Sequence, residues 1–117
     1  MKDLVHLRLA NIREIDALAI QGHDIVSVKH TIDNWFLICM TDKETHRPSV
    51  FLVGNGSHTG RPMVTSELEA IDFERGVVTT RNKSNYGLGM RGYGDLSREQ
   101  LLCLEAAMHT WNLRHEA

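Results

Sequence analysis

Gly87-Leu88-Gly89-Met90-Arg91-Gly92 has the G-x-G-x-x-G spacing that lets a backbone approach a pyrophosphate at a helix N-terminus. That chemistry needs the helix to open inside the motif. Here the helix-start signature, Ser97-Arg98-Glu99-Gln100, lies beyond it, so the glycines predict a flexible connection rather than a nucleotide fold. Seven histidines (His6, His23, His30, His46, His58, His109 and His115) are scattered with no H-x-H, H-E-x-x-H or Cys-His spacing. No metal site is predicted. His58, in the first glycine-rich loop, could serve as a general base. Ser57 is its direct neighbour, and adjacency is poor geometry for a nucleophile–base pair. His30 is expected on the buried face of a strand, as a hydrogen-bonded core residue. Glu67 and Glu69 share one strand face and read as a solvated edge.

Charge is more informative. The chain of 117 residues carries a net charge of −2, yet residues 75–98 hold Arg75, Arg81, Lys83, Arg91 and Arg98 against Asp95 alone. Tyr86 and Tyr93 interleave with these cations. Arginines and aromatics beside a glycine loop can grip phosphates and stack bases. Equally, they can supply polar and aromatic contacts to a protein. Arg81, Lys83, Tyr86, Arg91 and Tyr93 are therefore the candidate binding residues. No catalytic residue and no cofactor is predicted.

These residues need a scaffold. The length suits one domain, residues 1–117, with no disulfide or metal staple. Apolar residues make up 42% and charged residues 24%, which is ordinary for a folded domain. The longest apolar run, Trp35-Phe36-Leu37-Ile38-Cys39-Met40, is far short of a bilayer span. Met1-Lys2-Asp3-Leu4 lacks the features of a signal peptide, so the expected location is cytoplasmic, with no membrane contact. Cys39 and Cys103 are then expected as two reduced, buried thiols.

Ser97 and Gln100 form a capping box, flanked by the staple pair Leu96 and Leu101. Leu101, Leu104, Met108 and Trp111 recur at helical spacing, predicting a helix over 98–113 that covers a sheet. Ile25 to Ile32 alternates and reads as a strand, with Val26, Val28 and Ile32 on one face. Asp33-Asn34 then reads as a hairpin turn. Trp35 to Thr41 is apolar on both faces, as in a central strand, and Ser49 to Val53 is a third strand. Gly54 to Pro62 is predicted to be irregular. Val64 to Phe73, Val77 to Asn82 and a continuation over Ser84 to Leu88 complete the sheet. Near the N-terminus, Val5, Leu7 and Leu9 alternate. Asn11 and Glu14 could cap a short helix ending at Gly22, although residues 16–20 also fit an edge strand. The fold class is α+β: a curved antiparallel sheet of five or six strands with a C-terminal helix packed on one face.

Thr65-Ser66, Ile71-Asp72, Gly76, Val78, Thr80, Ser84, Tyr86 and Leu88-Gly89 read together as T-S-x4-I-D-x3-G-x-V-x-T-x3-S-x-Y-x-L-G. This pattern resembles the C-terminal hairpin of small uncharacterised proteins carried by bacterial phages and mobile elements. The resemblance brings no established activity and no catalytic residue, and the favoured reading is a non-enzymatic accessory protein of phage or mobile-element type that binds a macromolecule. The favoured partner is a protein, such as a host defence component, or a second copy of the chain. The alternative is a nucleic-acid-binding module using residues 75–98. A small enzyme with an unrecognised site comes third.

Overall fold

The computed structural model describes residues 3–22, 27–111 and 113–115. In chain order the elements are β1 (Asp3–Leu9), α1 (Ile12–Leu18), β2 (Thr31–Asp42), β3 (Pro48–Gly56), β4 (Pro62–Val64), β5 (Leu68–Asp72), β6 (Val77–Thr80), β7 (Asn85–Leu88), α2 (Arg98–Thr110) and β8 (Leu113–His115). The class is α+β, and the C-terminal helix lies against the sheet as expected. Among the described residues the sheet has eight strands, more than the five or six anticipated, because several are only three or four residues long. Its order is β4-β3-β2-β7-β6-β5, with β1 on β2 and β8 on β1. It is antiparallel except where β7 meets β2 and β8 meets β1. No helix among the described residues is long and apolar enough to cross a membrane.

Strand β2 organises everything else. One of its edges belongs to β3. The other is shared: β7 pairs with its start, Thr31 and Ile32, and β1 with its end, from Ile38 to Asp42. Both faces are buried. Phe36, Ile38 and Met40 pack with Phe51, Val53, Leu104 and Met108 under α2. Trp35 and Leu37 pack with Ile32, Leu52, Leu68, Ile71 and Val78 on the opposite face. The sheet therefore curls back until β5 and β6 cover β2 and β3, and α1 closes the gap with Ile15 and Leu18. This double covering explains why residues 35–41 read as apolar throughout. Burying each large side chain contributes roughly 1.5–3 kcal/mol.

The expected hairpin at Asp33-Asn34 is instead a β-bulge inside β2, where the pairing with β3 shifts between Asp33 and Phe36. The positive φ of Asn34, 49°, is the tolerance the sequence suggested, used to kink a strand rather than reverse it. The extra residue also changes parity. Ile32 and Trp35 share one face although an odd number of positions separates them. No strand forms over residues 27–30. Val28 and His30 are exposed, against the expectation of a buried face, and Val26 lies outside the described residues.

Gly54 and Gly56 belong to β3 rather than to an irregular loop. A Cβ on Gly54 would collide with Ile32 and lie 2.7 Å from the Asp33 carbonyl, so glycine is what lets β3 pass the bulge. The segment predicted as one strand over 64–73 is two, broken at Thr65–Glu67. Buried Thr65 explains the break: its Oγ1 accepts from Leu52 N at 3.1 Å and donates to Ser66 O at 2.8 Å. Residues 84–88 do not continue β6. The chain reverses at Arg81–Ser84, with Lys83 at φ 69°, and β7 returns antiparallel to β6.

Both helices start where their capping boxes place them, at Asn11 and Ser97. Helix α1 stops at Leu18 with Ala19 as its cap. Gly22 lies outside it, and Ile12 is 75% exposed. Helix α2 stops at Thr110, three residues short of the expected end, and Leu113 enters β8. Trp111 caps it and stacks on Phe51 at 5.1 Å between ring centres. Buried Gln100 does more than cap. Its side-chain amide donates to Asn34 O at 2.9 Å and to Asn55 Oδ1 at 2.8 Å, tying α2 to the bulge and to β3.

Candidate partner-binding surface

The glycine spacing of Gly87–Gly92 is satisfied by the sheet itself. A Cβ on Gly87 would lie 2.9 Å from Thr31 Oγ1, one on Gly89 would collide with the Asp33 carboxylate, and one on Gly92 would lie 2.5 Å from Phe36 Cε2. The glycines let this segment press against β2 along the bulge. The segment is pinned rather than the flexible connection expected. Gly89 N donates to Ile32 O at 2.9 Å, Met90 N to Asp33 Oδ1 at 2.8 Å and Gly92 N to Trp35 O at 3.0 Å. The Trp35 indole N–H donates back to Gly89 O at 3.0 Å.

Pinning the backbone presents the side chains. Met90 is 70% exposed and Tyr93 85% exposed. The Arg91 guanidinium lies over the Trp35 ring, 5.7 Å from its centre. Arg91, Gly92 and Tyr93 form one wall of a cleft of about 360 Å³ whose other walls include Leu9, Ile15 and Trp35. The cleft sits where neither β7 nor β1 covers the edge of β2. Leu9, itself half exposed, also borders an adjoining apolar groove with Leu96, Leu101 and Leu104.

No family model, curated protein or solved structure matches this chain.

The other candidate residues are used differently. Glu67 and Glu69 flank Leu68, which pairs with Thr80, so the β5–β6 register brings these carboxylates to the cations after Thr80. Arg81 Nε sits 3.1 Å from Glu67 Oε2, and Lys83 pairs with Glu69. Arg75 lies 3.9 Å from the buried Asp72 carboxylate. The two glutamates are thus paired, not merely solvated. Tyr86 is half-buried against the core and stacks on His30. The five candidates do not converge: Arg91 and Tyr93 share the cleft, Arg81 and Lys83 form a charged hairpin tip, and Tyr86 supports the fold. Met90, which was not among the candidates, belongs with Arg91 and Tyr93. Its place between Gly89 and Gly92, which pack against β2, is what turns it outward.

Among the described residues, no group of three or more His, Cys, Asp and Glu side chains is placed to hold a metal ion. Cys39 and Cys103 are free thiols, but only Cys39 is fully buried; Cys103 is half-buried because it sits beside the apolar stripe of α2. Cys39 Sγ donates to Glu14 Oε2 at 3.2 Å. Burial, then the neighbouring carboxylate, pushes its thiol up. Glu14 is held down to about 2, chiefly by its bonds from Arg8, which include one of 2.7 Å from Nη1. This cluster fastens α1 to β1 and β2.

Proposed function

We propose that this chain is a non-enzymatic binding module whose partner is a protein, engaged by Met90, Arg91 and Tyr93 at the mouth of the Trp35 cleft. The observation carrying the reading is the 85% exposure of Tyr93 and 70% exposure of Met90 on a backbone hydrogen-bonded to β2. Tyr, Met and Arg are enriched in protein interfaces, and Tyr and Arg dominate their energetics. A pinned backbone keeps the ordering cost of association low. The nucleic-acid reading has less support. Counterion release needs cations free to meet phosphates, and Arg75, Arg81 and Lys83 already face carboxylates. The resemblance of residues 64–89 to phage and mobile-element proteins favours a host protein as the partner.

Site-specific photocrosslinking tests this in the native host, with a benzophenone amino acid replacing Tyr93 or, as control, Glu74. The expected product is one discrete protein adduct from position 93 and none from position 74. Nuclease-sensitive adducts from position 93, or equal adducts from both positions, would contradict the reading.

A further inference from the structure

A second cleft, of about 260 Å³, lies away from the Trp35 site, between the segment leading into β2 and the tip of the β3–β4 hairpin. Lys29, His30 and Thr31 line one side, and Ser57, His58 and Thr59 the other. Every titratable side chain lining it is a lysine or histidine. Among the described residues no carboxylate borders it, although the protein carries a net charge of −2. Three hydroxyls accompany these nitrogens. Ammonium, imidazole and hydroxyl groups around one concavity are the donors an oxyanion needs, and among the described residues no acidic side chain lines it to repel one.

Both walls are fixed by backbone bonds. Lys29 N donates to Asn85 O at 2.8 Å and His30 O accepts from Gly87 N at 2.8 Å, which holds the first wall on β7. Ser57 N donates to Thr31 O at 2.9 Å and ties the second wall to the first. Asn55 Nδ2 donates to Gly60 O at 3.0 Å and closes the hairpin tip. His30 is further steadied by stacking on Tyr86, with ring centres 6.5 Å apart. Donors on a braced frame lose little freedom when they meet a ligand.

We infer that this cleft binds a small phosphomonoester, its phosphate held by Lys29, His30 and His58 with the hydroxyls of Thr31, Ser57 and Thr59. Size sets the class. The volume is just below the roughly 300–1,000 Å³ of pockets for drug-sized ligands. It admits a phosphate with a short organic body and is too small to enclose a dinucleotide. The side of Met63 and Val28 gives that body an apolar wall.

The test is an amide-shift titration of the isotope-labelled protein with O-phosphoserine, inorganic phosphate and, at matched ionic strength, chloride. O-phosphoserine is expected to give saturable shifts centred on residues 29–31 and 57–59, and to bind about tenfold more tightly than inorganic phosphate. The Lys29→Ala/His58→Ala variant, altered only at exposed positions, should weaken it by at least about tenfold while leaving shifts elsewhere unchanged. Shifts that fail to saturate, that chloride reproduces, or that the variant leaves intact would overturn the site. Equal affinity for inorganic phosphate would overturn the ester assignment.

Discussion

The hairpin tip at Arg81–Ser84 and the loop at Gly89–Gly94 come from one basic stretch of chain and end in opposite states. At the tip, the β5–β6 register sets Glu67 and Glu69 beside Arg81 and Lys83, so the charges are met within the molecule. The turn is also locally braced: Ser84 N donates to Thr80 Oγ1 at 3.1 Å and Lys83 N to Thr80 O at 2.9 Å. At the loop the backbone is equally well held, by Ile32, Asp33 and Trp35, but Met90 and Tyr93 project into solvent. Equal order with unequal satisfaction of side chains separates the structural turn from the proposed binding surface. Cation density in sequence does not, because the pairing carboxylates Glu67 and Glu69 are distant in the chain.

The largest effect is expected from removing the loop's close approach to β2. Gly92→Ala places a methyl 2.5 Å from Phe36 Cε2 and 2.9 Å from Asn34 O. Such overpacking should cost about 3 kcal/mol, read as a lower denaturant midpoint, and should abolish partner binding with it. A midpoint equal to wild type would show that the loop is not pinned as described.

Changing only what the loop presents should separate binding from folding. Met90→Ser/Tyr93→Ala is expected to lower partner affinity by about 2–4 kcal/mol, the range of interface hot spots. Its effect on stability should stay within about 0.5 kcal/mol, since both side chains are exposed. Calorimetry of binding and chemical denaturation of the free protein check the two halves.

The Arg8–Glu14–Cys39 cluster offers a contrast in pH. The Glu14 carboxyl lies at about 2 in the fold against an ordinary value of 4.5. A lowered carboxyl stabilises the fold above the unfolded value, and that contribution fades as pH falls from 4.5 towards 2. Glu14→Gln should therefore flatten the loss of stability over this window, measured by denaturation at successive pH values. An unchanged slope would mean that other carboxylates set the acid sensitivity.

The smallest effect is expected at the hairpin tip. Arg81→Ala/Lys83→Ala removes exposed ion pairs and should cost no more than about 1 kcal/mol per pair. Gel-shift assays at physiological salt should show no sub-micromolar retention of DNA or RNA by wild type. Tight retention that falls steeply with salt and is lost in this variant would restore the nucleic-acid reading.

Much of this architecture was legible where its causes are local. Asn11–Glu14 and Ser97–Gln100 fix helix starts because a cap satisfies amides within one turn. The apolar run from Trp35 identified the central strand because both faces of β2 are covered. What stayed hidden depends on partners distant in sequence. Asp33-Asn34 has the composition of a turn, and only the continued pairing of Ile32 and Phe36 with β3 makes it a bulge. Gly87–Gly92 has the spacing of a phosphate loop, and only the proximity of Thr31, Asp33 and Phe36 assigns its glycines to packing. Ser84 to Leu88 alternates like a continuing strand, and the reversal at Lys83 depends on Thr80 gripping the turn. The proposed site was half visible: Arg91 and Tyr93 were among the candidates, whereas the pairing of Arg81 with Glu67 and of Lys83 with Glu69 had no signal near them in the chain.

Binding isotherms of the crosslinked partner with Met90→Ser/Tyr93→Ala and with Arg81→Ala/Lys83→Ala, at equal protein stability, test the central contrast most directly. The account predicts a loss of at least about thirtyfold for the loop variant, equivalent to about 2 kcal/mol, and less than about twofold for the hairpin variant. The reverse order, or equal losses, would contradict it.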